Sequence, residues 1–162
     1  MHLGSLRRHT GRIKAAGVAQ AVRDDFEGGM SKVVIMCWHR DTLDVLETAL
    51  SQANPVRVDG STSASKRGEA ERRFREDPRC RVFLGQIVAC GEAIDLSAAH
   101  ELIFAESSFV PKDMAQAALR VTNITQGEQP RVRVAALEGS IDEALQTVLI
   151  RKVQTNKEIL RA

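Results

Sequence analysis

Five short apolar runs, each followed by a polar or amphipathic stretch, leave this chain few folds to choose from. The most telling is KVVIMCW at 32–38, which is continuous rather than alternating and rich in β-branched residues. It predicts a strand covered on both faces. A two-glycine break, EGGM, precedes it, and RDTLDVLETALSQ follows with Leu43, Leu46 and Leu50 at helical spacing. PVRVD at 55–59, CRVFLG at 80–85, HELIFAE at 100–106 and RVRVAAL at 131–137 read as the remaining strands. Helices are predicted after Ser63, which is suited to an N-cap, and over VPKDMAQAALRV, with Pro78 ending the first of these. CGEAIDLSAA at 90–99 reads as a turn and a helix. From Ser140 a last helix carries Ile141, Leu145, Val148 and Leu149 on one stripe.

Strand and helix thus alternate five times, with no internal repeat and no low-complexity linker. Right-handed crossovers then require a mostly parallel sheet with helices on both faces. A length of 162 residues fits one such domain, and 43% hydrophobic with 27% charged residues is globular composition. The N-terminal stretch has no acid before Asp24. Val18, Val22 and Phe26 predict that it is an amphipathic helix lying against the domain, with Arg7, Arg8, Arg12 and Lys14 toward solvent. No apolar run reaches the ~18 residues of a bilayer span.

In sheets of this kind ligands meet the loops at the carboxyl ends of the strands. Those loops are HRD, GSTS, GQIVACG, SSFVPKD and the stretch after Leu137. No phosphate loop of the G-x-x-x-x-G-K-[ST] type is present; GSTSASK at 60–66 lacks the glycine before its lysine. Neither G-x-G-x-x-G nor G-x-S-x-G occurs, which speaks against a dinucleotide dehydrogenase and a nucleophile elbow. His2, His9, His39 and His100 have no ligand spacing, so no metal site is expected. Cys37, Cys80 and Cys90 are too few and too unpaired for a disulfide framework, and a reducing cytoplasm is expected. Cys90 reads as a small residue at a tight turn.

A net charge of +2 announces no nucleic-acid partner, so that signal has to be local. Trp38, His39 and Arg40 at a strand end either meet a nucleic-acid backbone or leave Trp38 packed under the following helix. Segment 63–81 holds seven lysines and arginines against four acids. Lys66 and Arg67 lie in the first turn of its helix, where amides, hydroxyls and cations converge as in a phosphate site. Arg120 stands between Gln116 and Gln126 in QAALRVTNITQ, either as a catalytic cation or as a helix-surface charge.

Taken in order, these stretches resemble one family. KVVIMCWHRDTLDVLETAL is similar to the fourth motif of the second RecA-like lobe in Swi/Snf-type helicase-like ATPases of superfamily two. VDGSTSASKRGEAERRFRED is similar to its GxTS element, and RVFLGQIVACGEAIDLSAAHELIFAE to its fifth motif. FVPKDMAQAALRVTNITQ is similar to the sixth, and SIDEAL…RK to the brace that follows. The resemblance is to the annealing-helicase branch with its phage and bacterial members, which implies a cytoplasmic, nucleoid-associated protein.

It implies a RecA-like three-layer α/β sandwich with a mostly parallel sheet of about five or six strands. Residues 1–30 would be a basic helical lead-in, 31–139 the lobe and 140–162 a brace helix. Gly91, Glu92, Asp95, Gln116 and Arg120 would face ATP, with Gln116 and Arg120 catalytic. His39, Arg40, Gly60, Ser61, Thr62, Lys66, Arg67 and Gln86 would lie on DNA, expected to be duplex. ATP and magnesium are expected only when a first lobe supplies the phosphate loop and metal-binding acids, so the lobe alone is expected to be inactive. The sequence departs from the family at Ala93, Asn123 and Thr125. Asn123 stands where a second arginine is usual, and Glu92 puts an acid near the phosphates. Two functions therefore stand: the C-terminal motor lobe of a DNA translocase, or a non-hydrolysing nucleic-acid-binding or protein-interaction module on the same fold.

Overall fold

The computed structural model describes residues 2–90, 94–121, 130–140, 142–144 and 146–147. Helix α1 (Leu3–Glu27) leads into strand β1 (Val33–Cys37), followed by α2 (Arg40–Ala49), β2 (Val56–Val58), α3 (Ala64–Glu76), β3 (Val82–Gln86), β4 (Glu101–Phe104), α4 (Pro111–Leu119) and β5 (Arg131–Val134). The strands form one sheet in the order β2-β3-β1-β4-β5, every pair parallel.

β1 is the middle strand, and all five of its residues are buried, as its unbroken apolar sequence requires. Its alternating side chains sort into two cores. Val34 and Met36 point to one side, joined by Phe83, Leu102 and Phe104 of the sheet, Ala70 and Phe74 of α3, and Ala117 of α4. Val33, Ile35 and Cys37 point to the other, packed against Ala15, Val18, Ala19 and Val22 of α1 and Leu43 and Leu46 of α2. The result is three layers with two helices on each face. A glycine in β3 makes room on the first side: a Cβ at Gly85 would lie 2.6 Å from Met36 Sδ and 2.8 Å from Cys90 Sγ. The sheet borders are short. β2 has three residues, with Arg57 at its centre, and β5 has four, with Arg131 and Arg133.

Ser63 caps α3 as expected, its hydroxyl accepting from the Lys66 amide at 3.3 Å. That helix ends at Glu76, and Asp77, which precedes Pro78, is extended. Two expectations fail. Residues 94–100 form a turn with no helix, because Ile94, Leu96 and Ala99 are drawn individually into the core rather than along one helical stripe. Arg7 is half-buried, donating to the Ser107 carbonyl, and Lys14 does not face solvent. It is 7% exposed, with its ammonium 2.9 Å from Asp142 and donating to the Ala135 carbonyl at 3.2 Å. A paired cation can cross the buried face of a helix in this way, and apolar spacing alone does not reveal it. Residues 142–144 and 146–147 are helical; Ile141, Leu145, Val148 and Leu149 of the expected stripe lie outside the described residues.

Candidate nucleotide and nucleic-acid interface

The carboxyl ends of β1, β2 and β3 are stitched into one polar surface. In the turn after β2, the Asp59 carboxylate accepts from the Ser61 amide at 2.9 Å and the Ser61 hydroxyl at 2.7 Å, while the Asp59 amide donates to Thr62 Oγ1 at 2.9 Å. Arg57 donates to the same carboxylate at 3.0 Å. Burial opposes ionisation of Asp59, but the bonds from Ser61 and Arg57 outweigh it and hold the carboxyl down at about 2. Arg40 reaches across from α2, 3.1 Å from the Ser61 hydroxyl and 3.4 Å from Asp59. Gln86, at the end of β3, accepts from the Gly60 amide at 3.0 Å and donates to the Trp38 carbonyl at 3.0 Å. Arg40, Gly60, Ser61, Thr62 and Gln86, separated in sequence, therefore share one hydrogen-bonded network.

His39 joins this surface through a residue that no sequence motif singles out. Glu106, 4% exposed just beyond β4, accepts from the Trp38 amide at 3.0 Å and the His39 amide at 2.8 Å, and its other oxygen lies 2.7 Å from His39 Nδ1. The available signal was an acid closing a buried strand, HELIFAE, at the end where ligand loops gather. Trp38 is half-buried against the α3–α4 core, with the Arg7 guanidinium 5.5 Å from its ring centroid. Trp38 thus packs, but on the face opposite the helix that follows it, α2, whose Leu43 and Leu46 belong to the other core.

Lys66 is exposed, whereas Arg67 turns inward. Arg67 lines a cleft of about 450 Å³ together with Gly60, Val88, Ala89, Asp113 and Gln116. Its Nε is buried with no hydrogen-bond partner among the described residues. The cleft brings residues expected on DNA against one expected on ATP. Cys90 is fully buried, and burial pushes its thiol up to about 12, so it is a packing residue and no nucleophile.

The remaining candidates gather at the end of α4. Gln116 and Arg120 are one turn apart on that helix and its cap. The Leu96 amide donates to the Arg120 carbonyl at 2.9 Å, which sets Asp95 beside the α4 terminus. Hydrogen bonds from Ser97, its amide 2.9 Å away, hold the Asp95 carboxyl below the usual carboxylate range. Gly91, Glu92, Ala93, Asn123 and Thr125 lie outside the described residues. Among the described residues no group of three histidine, cysteine or acidic side chains is placed to hold a metal.

A parallel five-stranded sheet between helical layers, with its polar loops gathered at the strand carboxyl ends, defines a RecA-like lobe. The chain belongs to the helicase conserved C-terminal domain family, whose model matches residues 18–125. Within that family it is a second lobe of the Swi/Snf type. It is 26% identical over 94% of its length to the mouse DNA annealing helicase and endonuclease ZRANB3. It is 28% identical over 79% of its length to the Drosophila melanogaster SWI/SNF-related matrix-associated actin-dependent regulator of chromatin subfamily A-like protein 1. The matched segments are 14% and 17% of those two proteins. The C-terminal part of the Fun30 ATPase domain superposes with a TM-score of 0.69 at 30% identity, covering 74% of this chain and 39% of that one.

Proposed function

We propose that this lobe forms one side of an ATP cleft and contributes backbone contacts to duplex DNA in a DNA-translocating ATPase completed by a first lobe. The observation that carries the reading is the bond from the Leu96 amide to the Arg120 carbonyl, which joins the fifth-motif segment to the sixth. The backbone of Asp95 thereby lies close to that of Arg120, and the two residues would offer an acceptor for a ribose hydroxyl and a cation for phosphate from the same end of α4. Gln116 stands one turn earlier to orient what lies between. ATP supplies the phosphoryl group that is transferred, and the residues here bind and orient it from one side.

His39, Arg40, Ser61 and Thr62 belong to a surface of amides, hydroxyls and cations suited to phosphate oxygens. The inward Arg67, with its unpartnered Nε, suits an anion entering the cleft beside Gly60.

An arginine finger contributes about three to five decades in rate. Joined to a first lobe from a Swi/Snf-type relative, the chain should hydrolyse ATP in a DNA-stimulated manner, and Arg120→Ala should lower kcat by about a thousandfold. A fused protein whose turnover is indifferent to Arg120 would overturn the motor reading. Asn123 favours the second reading, a non-hydrolysing module, because an amide supplies no charge to the transition state. In that case the fusion stays inactive until Asn123→Arg is introduced.

A further inference from the structure

Three consecutive residues after β4 hold three different parts of the lobe. Glu106 takes the amides of Trp38 and His39 and the His39 ring. The Ser107 carbonyl accepts from Arg7 of α1 at 2.5 Å. The Ser108 hydroxyl donates to Asp113 at 2.9 Å and accepts from the Val110 amide at 3.0 Å, securing the first turn of α4.

The Glu106 contacts are unusual in where they act. His39 is the N-cap of α2, and its own side chain makes no capping bond. Glu106, from the segment beyond β4, adds a second carboxylate to Asp41 of the helix's own first turn at that terminus, where negative charge is favoured. Its approach depends on α1, since a Cβ at Gly11 would overlap Glu106 Oε1. The carboxyl group is enclosed, so its donors are held tightly: a polar group out of water keeps its hydrogen bonds or forces rearrangement.

We propose that Glu106 is the positioning residue that locks the Trp38–Arg40 loop, on the DNA side, to the segment that starts α4, on the nucleotide side. The two move as one body when the lobe turns. This rests on the proposed function for its purpose, but the mechanical part can be tested without DNA.

The test uses the full chain with Glu106→Ala and Glu106→Gln. Amide hydrogen exchange is read by nuclear magnetic resonance, and binding of a short DNA duplex by fluorescence anisotropy. Glutamine retains one oxygen for the two loop amides, so it should rescue what alanine loses. Glu106→Ala should speed exchange at Trp38 and His39 by at least about tenfold while β1 and β4 stay protected, with glutamine within about threefold of the parent. Duplex affinity should fall by about tenfold in the alanine variant and recover in glutamine.

A rise in exchange spread across the sheet would mean simple destabilisation and would overturn the proposal, as would an unchanged loop. A loop freed in the alanine variant with duplex affinity unaltered also counts against it. If the alanine variant does not fold, Gly11→Ala, which pushes on the same carboxylate, must raise exchange at Trp38 and His39 for the proposal to stand. A parent chain that ignores duplex DNA defeats the proposed function, and the exchange measurements still decide the role of Glu106.

Discussion

A hydrogen on Cα is all the space α1 leaves at Gly11. The Glu106 carboxylate and Thr42 Oγ1, which would be 2.7 Å from an added Cβ, fill the rest. Gly11→Ala should therefore cost about 1–3 kcal/mol, the usual penalty of overpacking, as read from urea unfolding midpoints. Gly17, on the same helix with nothing within 4 Å of an added Cβ, gives the contrast: its alanine variant should be neutral or stabilising. Little of this was legible in the sequence. Gly11 and Glu106 are far apart along the chain, and their contact exists only because α1 lies across the end of β4. The inward course of Lys14 was hidden for the same reason, since its partner Asp142 lies on the far side of the sequence.

At the scale of elements, the strands and helices followed from pattern because β1, α2 and α3 carry their reasons locally: a continuous apolar run, leucines at helical spacing, a serine cap. The segment at 94–100 broke that rule, since its apolar residues answer to the core one by one and fix no period. The sequence locates the turn between β2 and α3, but the chemistry of that turn comes from Asp59, which pattern alone marks only as a strand end. That turn makes a prediction about acid. Asp59 titrates at about 2 when folded, below its ordinary 3.8, so the unfolded chain takes up the proton first. Its contribution is therefore complete above pH ~4–5, and it drains away as pH falls from there toward 2. Asp59→Asn should flatten that part of the stability curve, while leaving the slope near neutrality unchanged. Thermal melting across the acid range measures it.

For the whole molecule, the order of motifs along the chain located the candidate site, and only the folded sheet showed how its pieces meet. Arg67 and Gln116 share a cleft that no spacing rule would have paired. If the lobe holds DNA through backbone phosphates, affinity has to follow counterion release. With about four phosphate contacts it should drop roughly a hundredfold between about 50 and 200 mM salt, with little regard for base sequence. Anisotropy titrations over a salt series would show it, and a flat profile would remove the phosphate contacts proposed for Lys66 and Arg67.

The two borders of the sheet have a consequence for how these molecules behave in a crowd. One border is three residues long with Arg57 at its centre, and the other bears Arg131 and Arg133, tied to Glu101 and Asp25. Zipping two copies rim to rim would bring guanidinium groups face to face and tear them from their acids. Among the described residues both rims are fenced by charge, which works against growth into ribbons.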